Sequence, residues 1–288
     1  MKIAHFPNFL PTNQDMVYPQ LLDAIQSTDE LVEGSTREAD ADAALIWSVL
    51  WFGKMSGNKQ VWDKYQAAGK PVIVIEVGGL IRNETWKLGI NGVNRDADFA
   101  LDVGVDPDRV KHLGIEKLPW VIEDKPYILV CGQHAYSLQW QDMPDMDTYF
   151  RNTVEEIREW SSKPIVLRAH PRYRERVHFP IADEQWYKDQ GCEWQIAKKV
   201  QETYDSFDLE DQLKETNLTV SYSSNAGVNS IIQGIPAVVS KHSLAYEMTS
   251  TYKETMCARR ENWLIKMCNI EWLPDEIGTQ WRRIRSKL

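Results

Sequence analysis

Ser223-Ser224-Asn225 stands between a segment that reads as a buried strand, Leu218–Tyr222, and a helical pattern, Ala226–Gln233. Strand, polar turn and helix in that order present backbone N–H groups at a helix N-terminus, which is a ready anion site. The helix has no acidic residue in its first turn to compete with a bound phosphate. Asn229 lies one turn further on, in reach of a sugar or ribose hydroxyl. Ser and Asn are also the best N-caps, and capping uses the same N–H groups, so both roles fit these residues.

A second group precedes this one. Arg168, His170 and Arg172 alternate at the end of the apolar run Ile165–Arg168. Period two puts them on one face if the strand persists, and Pro171 keeps His170 extended. Two guanidiniums and an imidazole suit a pyrophosphate through charge-assisted bonds. The plainer reading is a solvated basic loop. Upstream, Tyr127–Val130 runs into Cys131-Gly132-Gln133-His134. A glycine directly after a strand lets a ligand approach the backbone, though an ordinary strand-to-loop turn has the same sequence. It is no GxGxxG fingerprint, which argues against a nicotinamide cofactor.

A third group sits in the first half. Glu76 interrupts the buried run Val72–Val77 and is followed by Gly78-Gly79-Leu80-Ile81-Arg82. A carboxylate at the end of a buried strand, beside a Gly-Gly turn, has the makings of a general base. The alternative is a structural ion pair with Arg82. Asp40 and Asp42 precede a strand and read as solvated; no DxD element falls in a loop suited to hold a metal.

These groups need elements to position them. Strand patterns at Lys2–Phe6, Ala43–Val49 and Val72–Val77 alternate with helical ones at Asp15–Gln26 and Lys59–Ala68, and Asp98–Val103 reads as a further short strand. Continuous apolar strands alternating with helices imply a parallel sheet covered on both faces. Lys117–Lys125 reads as a linker, and the alternation restarts with strand Pro126–Cys131, helix Asp147–Trp160 and strand Ile165–Arg168. Helix Leu209–Glu215 and strand Ala237–Ser240 flank the Ser-Ser-Asn turn. The expected class is therefore α/β, with two Rossmann-like domains, 1–122 and 123–288, and a ligand cleft between them. Trp272–Leu288 reads as a final helix.

Composition narrows the setting. The chain has 288 residues, 43% hydrophobic and 26% charged, as in a water-soluble globular protein. No apolar run approaches the roughly 20 residues that span a bilayer, and the N-terminus opens like a strand, so a cytoplasmic protein is expected. Four cysteines without CxxC pairing read as reduced, buried thiols. A net charge of −9 disfavours general nucleic-acid binding, although Arg168–Arg176 and Trp281–Leu288 are basic. Twelve tryptophans serve mainly as core.

The segment from Lys163 through His170-Pro171-Arg172, and that from Ser223-Ser224 through Gly234-Ile235-Pro236, resemble two motifs of the GT-B-type glycosyltransferases. The closest likeness is to the capsular-polysaccharide families, with Ser230 at a position where they have a small residue. The resemblance covers about residues 127–240. Glu76, Gly78 and Arg82 loosely resemble an acidic-glycine segment of the same families. It implies transfer of a sugar from a nucleotide-sugar co-substrate to a hydroxyl, with no metal and no other cofactor. Gly132, Gln133, Arg168, His170, Arg172, Ser223, Ser224, Asn225 and Asn229 would bind the donor. Glu76 would be the base, with Gly78, Gly79 and Arg82 on the acceptor side, and the last helix would cross back to the first domain. The acceptor would be a surface glycan, a small molecule, or a hydroxymethylated base in DNA, as in phage enzymes that glycosylate their genomes. A sugar-nucleotide epimerase and a non-catalytic nucleotide-sugar-binding scaffold are the alternatives on the same fold.

Overall fold

The computed structural model describes residues 1–11, 14–121, 123–171, 182–200, 207–254 and 259–288. The chain divides into two compact units, one made of Met1–Gly114 with Leu264–Leu288, the other of Ile115–Trp263.

In the first unit β1 (Lys2–His5), α1 (Tyr18–Gln26), β2 (Glu30–Glu33), β3 (Ala43–Trp47), α2 (Asn58–Ala67), β4 (Val72–Val77) and β5 (Trp86–Ile90) follow in order. The sheet runs β5-β4-β3-β1-β2. Strands β1 to β4 are parallel, while β5 returns antiparallel to β4. Every residue of β3 is buried, as is required of a strand with helices on both faces. Tyr18, Leu21 and Ile25 form the buried stripe of α1, at helical spacing.

Asp98–Val103 is not a strand. Asp98 makes one isolated bridge to Ile90, and the chain then turns, with Ala100 at φ +55°. The cause is local: the Ala100 amide donates to Asp98 Oδ1 at 2.7 Å, a side-chain-to-backbone bond that replaces a ladder. The short α3 (Arg109–His112) closes this stretch.

The second unit holds β6 (Tyr127–Cys131), α4 (Met146–Arg158), β7 (Ile165–Arg168), α5 (Glu184–Asp189), β8 (Cys192–Gln195), α6 (Leu209–Lys214), β9 (Thr216–Ser221), α7 (Asn225–Ile232) and β10 (Ala237–Val239). All five strands are parallel, in the order β10-β9-β6-β7-β8. The chain moves outward from β6 through β7 to β8, then jumps back to β9 on the other side of β6. The direction of winding therefore reverses between β6 and β9, and the crevice at their C-terminal ends is the topological switch point.

Part of the expected linker lies against this unit. The Leu118 amide donates to Ile232 O at 3.0 Å and the Val121 amide to Gly234 O at 2.8 Å. Arg260 donates to Ile231 O and Leu118 O, and its guanidinium lies 4.1 Å from the Trp120 ring centroid. Together they satisfy the last carbonyls of α7. Gly234 sits at φ +78°, and a β-carbon there would collide with Pro119 O.

After α8 (Glu261–Asn269) the chain is again in the first unit. There β11 (Glu271–Trp272) pairs antiparallel with β5 and extends the first sheet. Ile277, Trp281 and Ile284 of α9 (Ile277–Arg285) are buried in the same core as Leu21 and Ile25 of α1. Arg109 secures the turn between β11 and α9: it is bidentate to Glu276 (2.6 and 2.7 Å) and donates to Glu271 O and Cys268 O. No helix among the described residues is long and apolar enough to cross a membrane.

Candidate functional site

The switch point of the second unit is built from three strand ends. On the β9 side, Ser224 caps α7 with φ −64° and ψ 146°, its hydroxyl accepting from the Ala226 amide at 3.2 Å. Asn225 is the first helical residue, and no acidic side chain occupies the first turn. The helix therefore points the positive end of its dipole out of the C-terminal edge of the sheet. Asn229, half-buried, follows one turn on. Ser230 faces inward, bonded to Thr219 Oγ1 at 2.8 Å and Ile235 O. Those two partners explain a hydroxyl at a tightly packed position.

On the β6 side, Gly132 continues the ladder by donating to Arg168 O at 2.8 Å. Gln133 then reaches across the crevice. Its Nε2 donates to Ser223 Oγ at 2.9 Å, and the Ser223 amide donates to Gln133 Oε1 at 3.2 Å. This double contact ties the loop after β6 to the turn that opens α7, across the two walls of the crevice. Cys131 beside them is buried, and burial pushes its thiol up to about 12.

The β7 end supplies His170. Its ring meets that of His134 edge-on, with centroids 5.3 Å apart, and His134 Nδ1 accepts from the Tyr136 amide at 3.2 Å. Gln133, His134, His170 and Ser223–Asn225 thus gather at the C-terminal ends of three adjacent strands.

Arg168, expected on the same face as His170, is only 4% exposed. Its guanidinium donates to Gln212 Oε1 and, at 2.7 Å, to Asp208, both at or near α6. The arginine thereby joins the β7 end to α6. Arg172 lies outside the described residues.

Glu76 stands near the C-terminal end of β4, half-buried. Its Oε2 accepts from Ser48 Oγ at 2.6 Å and its Oε1 from the Val77 amide at 2.9 Å. In the β4–β5 register it lies directly opposite Lys87, which in turn lies opposite Glu271 of β11. Lys87 is fully buried; desolvation lowers its pKa, while Glu271 and Glu76 act against that shift and Arg82 adds to it. Glu271, also buried, accepts from the Gly79 amide at 2.7 Å, the Leu80 amide at 3.0 Å and Thr85 Oγ1 at 2.7 Å. The Gly78 amide donates to Thr85 O at 2.7 Å, and a β-carbon on Gly78 would strike Thr85 Oγ1 and Glu271 Oε2. The Gly78-Gly79 turn is thus closed around a buried carboxylate from the far end of the chain.

Three residues of this group escape the sequence pattern: Ser48, Lys87 and Glu271. Nothing local marks Lys87 or Glu271, and only the pairing of β5 with β4 and β11 brings Glu76, Lys87 and Glu271 into one row. Ser48 has no local signature at all.

No family model matches the sequence, and no curated protein matches it by sequence. Solved structures do match. Over 99% of its length the chain is similar to Thermosulfurimonas dismutans KpsC, beta Kdo 2,7 transferase, with a TM-score of 0.54, 14% identity and 100% of that chain covered. The KpsC beta Kdo 2,4 transferase of the same organism gives a TM-score of 0.53 at 12% identity, covering 99% of this chain and 98% of that one. At these identities the likeness is one of fold: two Rossmann-like α/β units, each built on a largely parallel sheet.

Proposed function

We propose that the chain is a glycosyltransferase that moves a sugar from a nucleotide-sugar donor to a hydroxyl acceptor. The observation that carries this reading is the switch point of the second unit. An uncontested helix N-terminus, two histidines and a clamped glutamine–serine pair converge there at three strand ends. That is where an α/β sheet binds a nucleotide. The full-length likeness of fold to two sugar transferases supports the choice of reaction.

In this reading the donor phosphate sits at the N-terminus of α7, with His170 and His134 beside it and Asn229 toward the sugar. When the bond from the anomeric carbon to the phosphate oxygen breaks, charge develops on that oxygen. The helix dipole is already oriented to stabilise it, with the half-buried His170 at the neighbouring strand end, a task a metal performs in other transferases. Arg168 acts from behind, fixing the β7 end through Asp208 and Gln212. In the first unit, Glu76 takes the proton of the acceptor hydroxyl as the new bond forms.

The test is a melting-temperature panel of nucleotide-sugars, followed by product analysis with the one that binds. A donor at 100 times its dissociation constant adds about 2.7 kcal/mol of stability. Sugar appearing on a supplied glycan or small hydroxyl acceptor, or on hydroxymethylated DNA, bears the proposal out and names the acceptor. An inverted or hydrolysed sugar with donor alone identifies an epimerase instead. No shift with any nucleotide-sugar refutes the donor site.

A further inference from the structure

We propose that Ser48 is the positioning residue of Glu76: a serine held in a strained backbone so that its hydroxyl fixes the carboxylate of the base. The inference rests on the reading of Glu76 as that base. Five non-glycine residues among those described have positive φ, and three of them are Asn or Asp, which tolerate it. Ser48 is not of that kind. It sits at φ +62° immediately after β3, 4% exposed, with its amide still donating to Ile75 O of β4 at 2.8 Å.

A turn that only needed a left-handed residue would be served best by glycine, which adopts this conformation without penalty. The serine side chain makes two hydrogen bonds that glycine would not. Its Oγ donates to Glu76 Oε2 at 2.6 Å and accepts from the Leu50 amide at 3.1 Å. The second bond orients the hydroxyl, so its one proton goes to Glu76. Across the sheet the buried Lys87 lies opposite Glu76. The carboxylate is held by a hydroxyl from β3's end and by the amide of its own neighbour, Val77. Backbone strain at a hydrogen-bonded catalytic group is a recurring way of fixing geometry.

Three variants separate this role from a merely structural one. Ser48→Gly relieves the strain and removes the hydroxyl. Ser48→Asn keeps a donor in a residue that accepts positive φ. Glu76→Gln removes the base. Melting and amide exchange at Val77 need no substrate; turnover uses the nucleotide-sugar picked out by the melting panel. Ser48→Gly is expected to melt at or above the wild-type temperature, yet to exchange its Val77 amide about tenfold faster or more. Its transfer should slow by about 10- to 100-fold with donor KM unchanged. Ser48→Asn should recover part of both losses. A Ser48→Gly protein that melts lower and keeps normal Val77 protection and turnover overturns the proposal. If Glu76→Gln retains full turnover, the base assignment fails by itself, and Val77 exchange in Ser48→Gly still decides whether Ser48 seats the carboxylate.

Discussion

Arg168 and His170 stand two residues apart and should respond to mutation in opposite ways. Arg168→Ala leaves Asp208 and Gln212 without their buried partner. We expect it to lose about 1–3 kcal/mol of stability, read as an earlier urea midpoint. His170→Ala removes a half-buried ring at the crevice. It should melt near the wild-type temperature and weaken donor binding by about 1.5–3 kcal/mol in calorimetry. Equal donor affinity in the histidine variant would remove His170 from the site. Glu76→Gln keeps the shape of the carboxylate and loses its basicity. Transfer should fall by about 100- to 10,000-fold while donor affinity is kept. Near-normal turnover with a much lower melting temperature would make Glu76 a structural partner of Ser48 and Lys87.

At the scale of elements, the two ends of α7 have separate tasks: the N-terminus faces the crevice and the C-terminus is buttressed by residues 118–121 and Arg260. Gly234→Ala tests the buttress. A β-carbon at φ +78° against Pro119 O should cost roughly 2–4 kcal/mol, measured by thermal or urea unfolding. The β11–α9 turn gives a prediction in pH. Burial opposes ionisation of Glu276, but its bonds from Arg109 prevail and hold its pKa below the usual carboxylate value. A depressed carboxylate contributes stability that is present above its unfolded pKa, about 4.3, and is lost as pH falls through the lower folded value. Glu276→Gln should therefore cost about 1–2 kcal/mol at pH 7, and the gap to wild type should close below about pH 4. The same elements show what a sequence can reveal. Val72–Val77 and Ile165–Arg168 are apolar runs of strand length, and their bounds follow from that pattern. The edges β2, β8 and β11 carry glutamates and are only partly buried or very short, so no periodicity marks them. The helix N-terminus at Ser224 is legible because capping is local chemistry. The Gln133–Ser223 clamp joins residues 90 positions apart, and the Glu271 seat for Gly79 joins residues 192 apart. Such contacts exist only once both sheets have formed.

At the scale of the whole molecule, the second unit is contiguous and the first is not. The first core takes Trp272, Ile277, Trp281 and Ile284 from the tail, and Gln280, fully buried, donates to Leu88 O and Phe99 O. On the ribosome this imposes an order of events. All of Ile115–Trp263 is made after the first five strands and before the segment that completes them. At about 5–20 residues per second that interval is roughly 8–30 s. For that time the nascent first sheet has an open β5 edge and an uncovered α1 face, while the second unit can already close. The half that emerges first is therefore finished last, and its apolar surface waits longest for cover during synthesis.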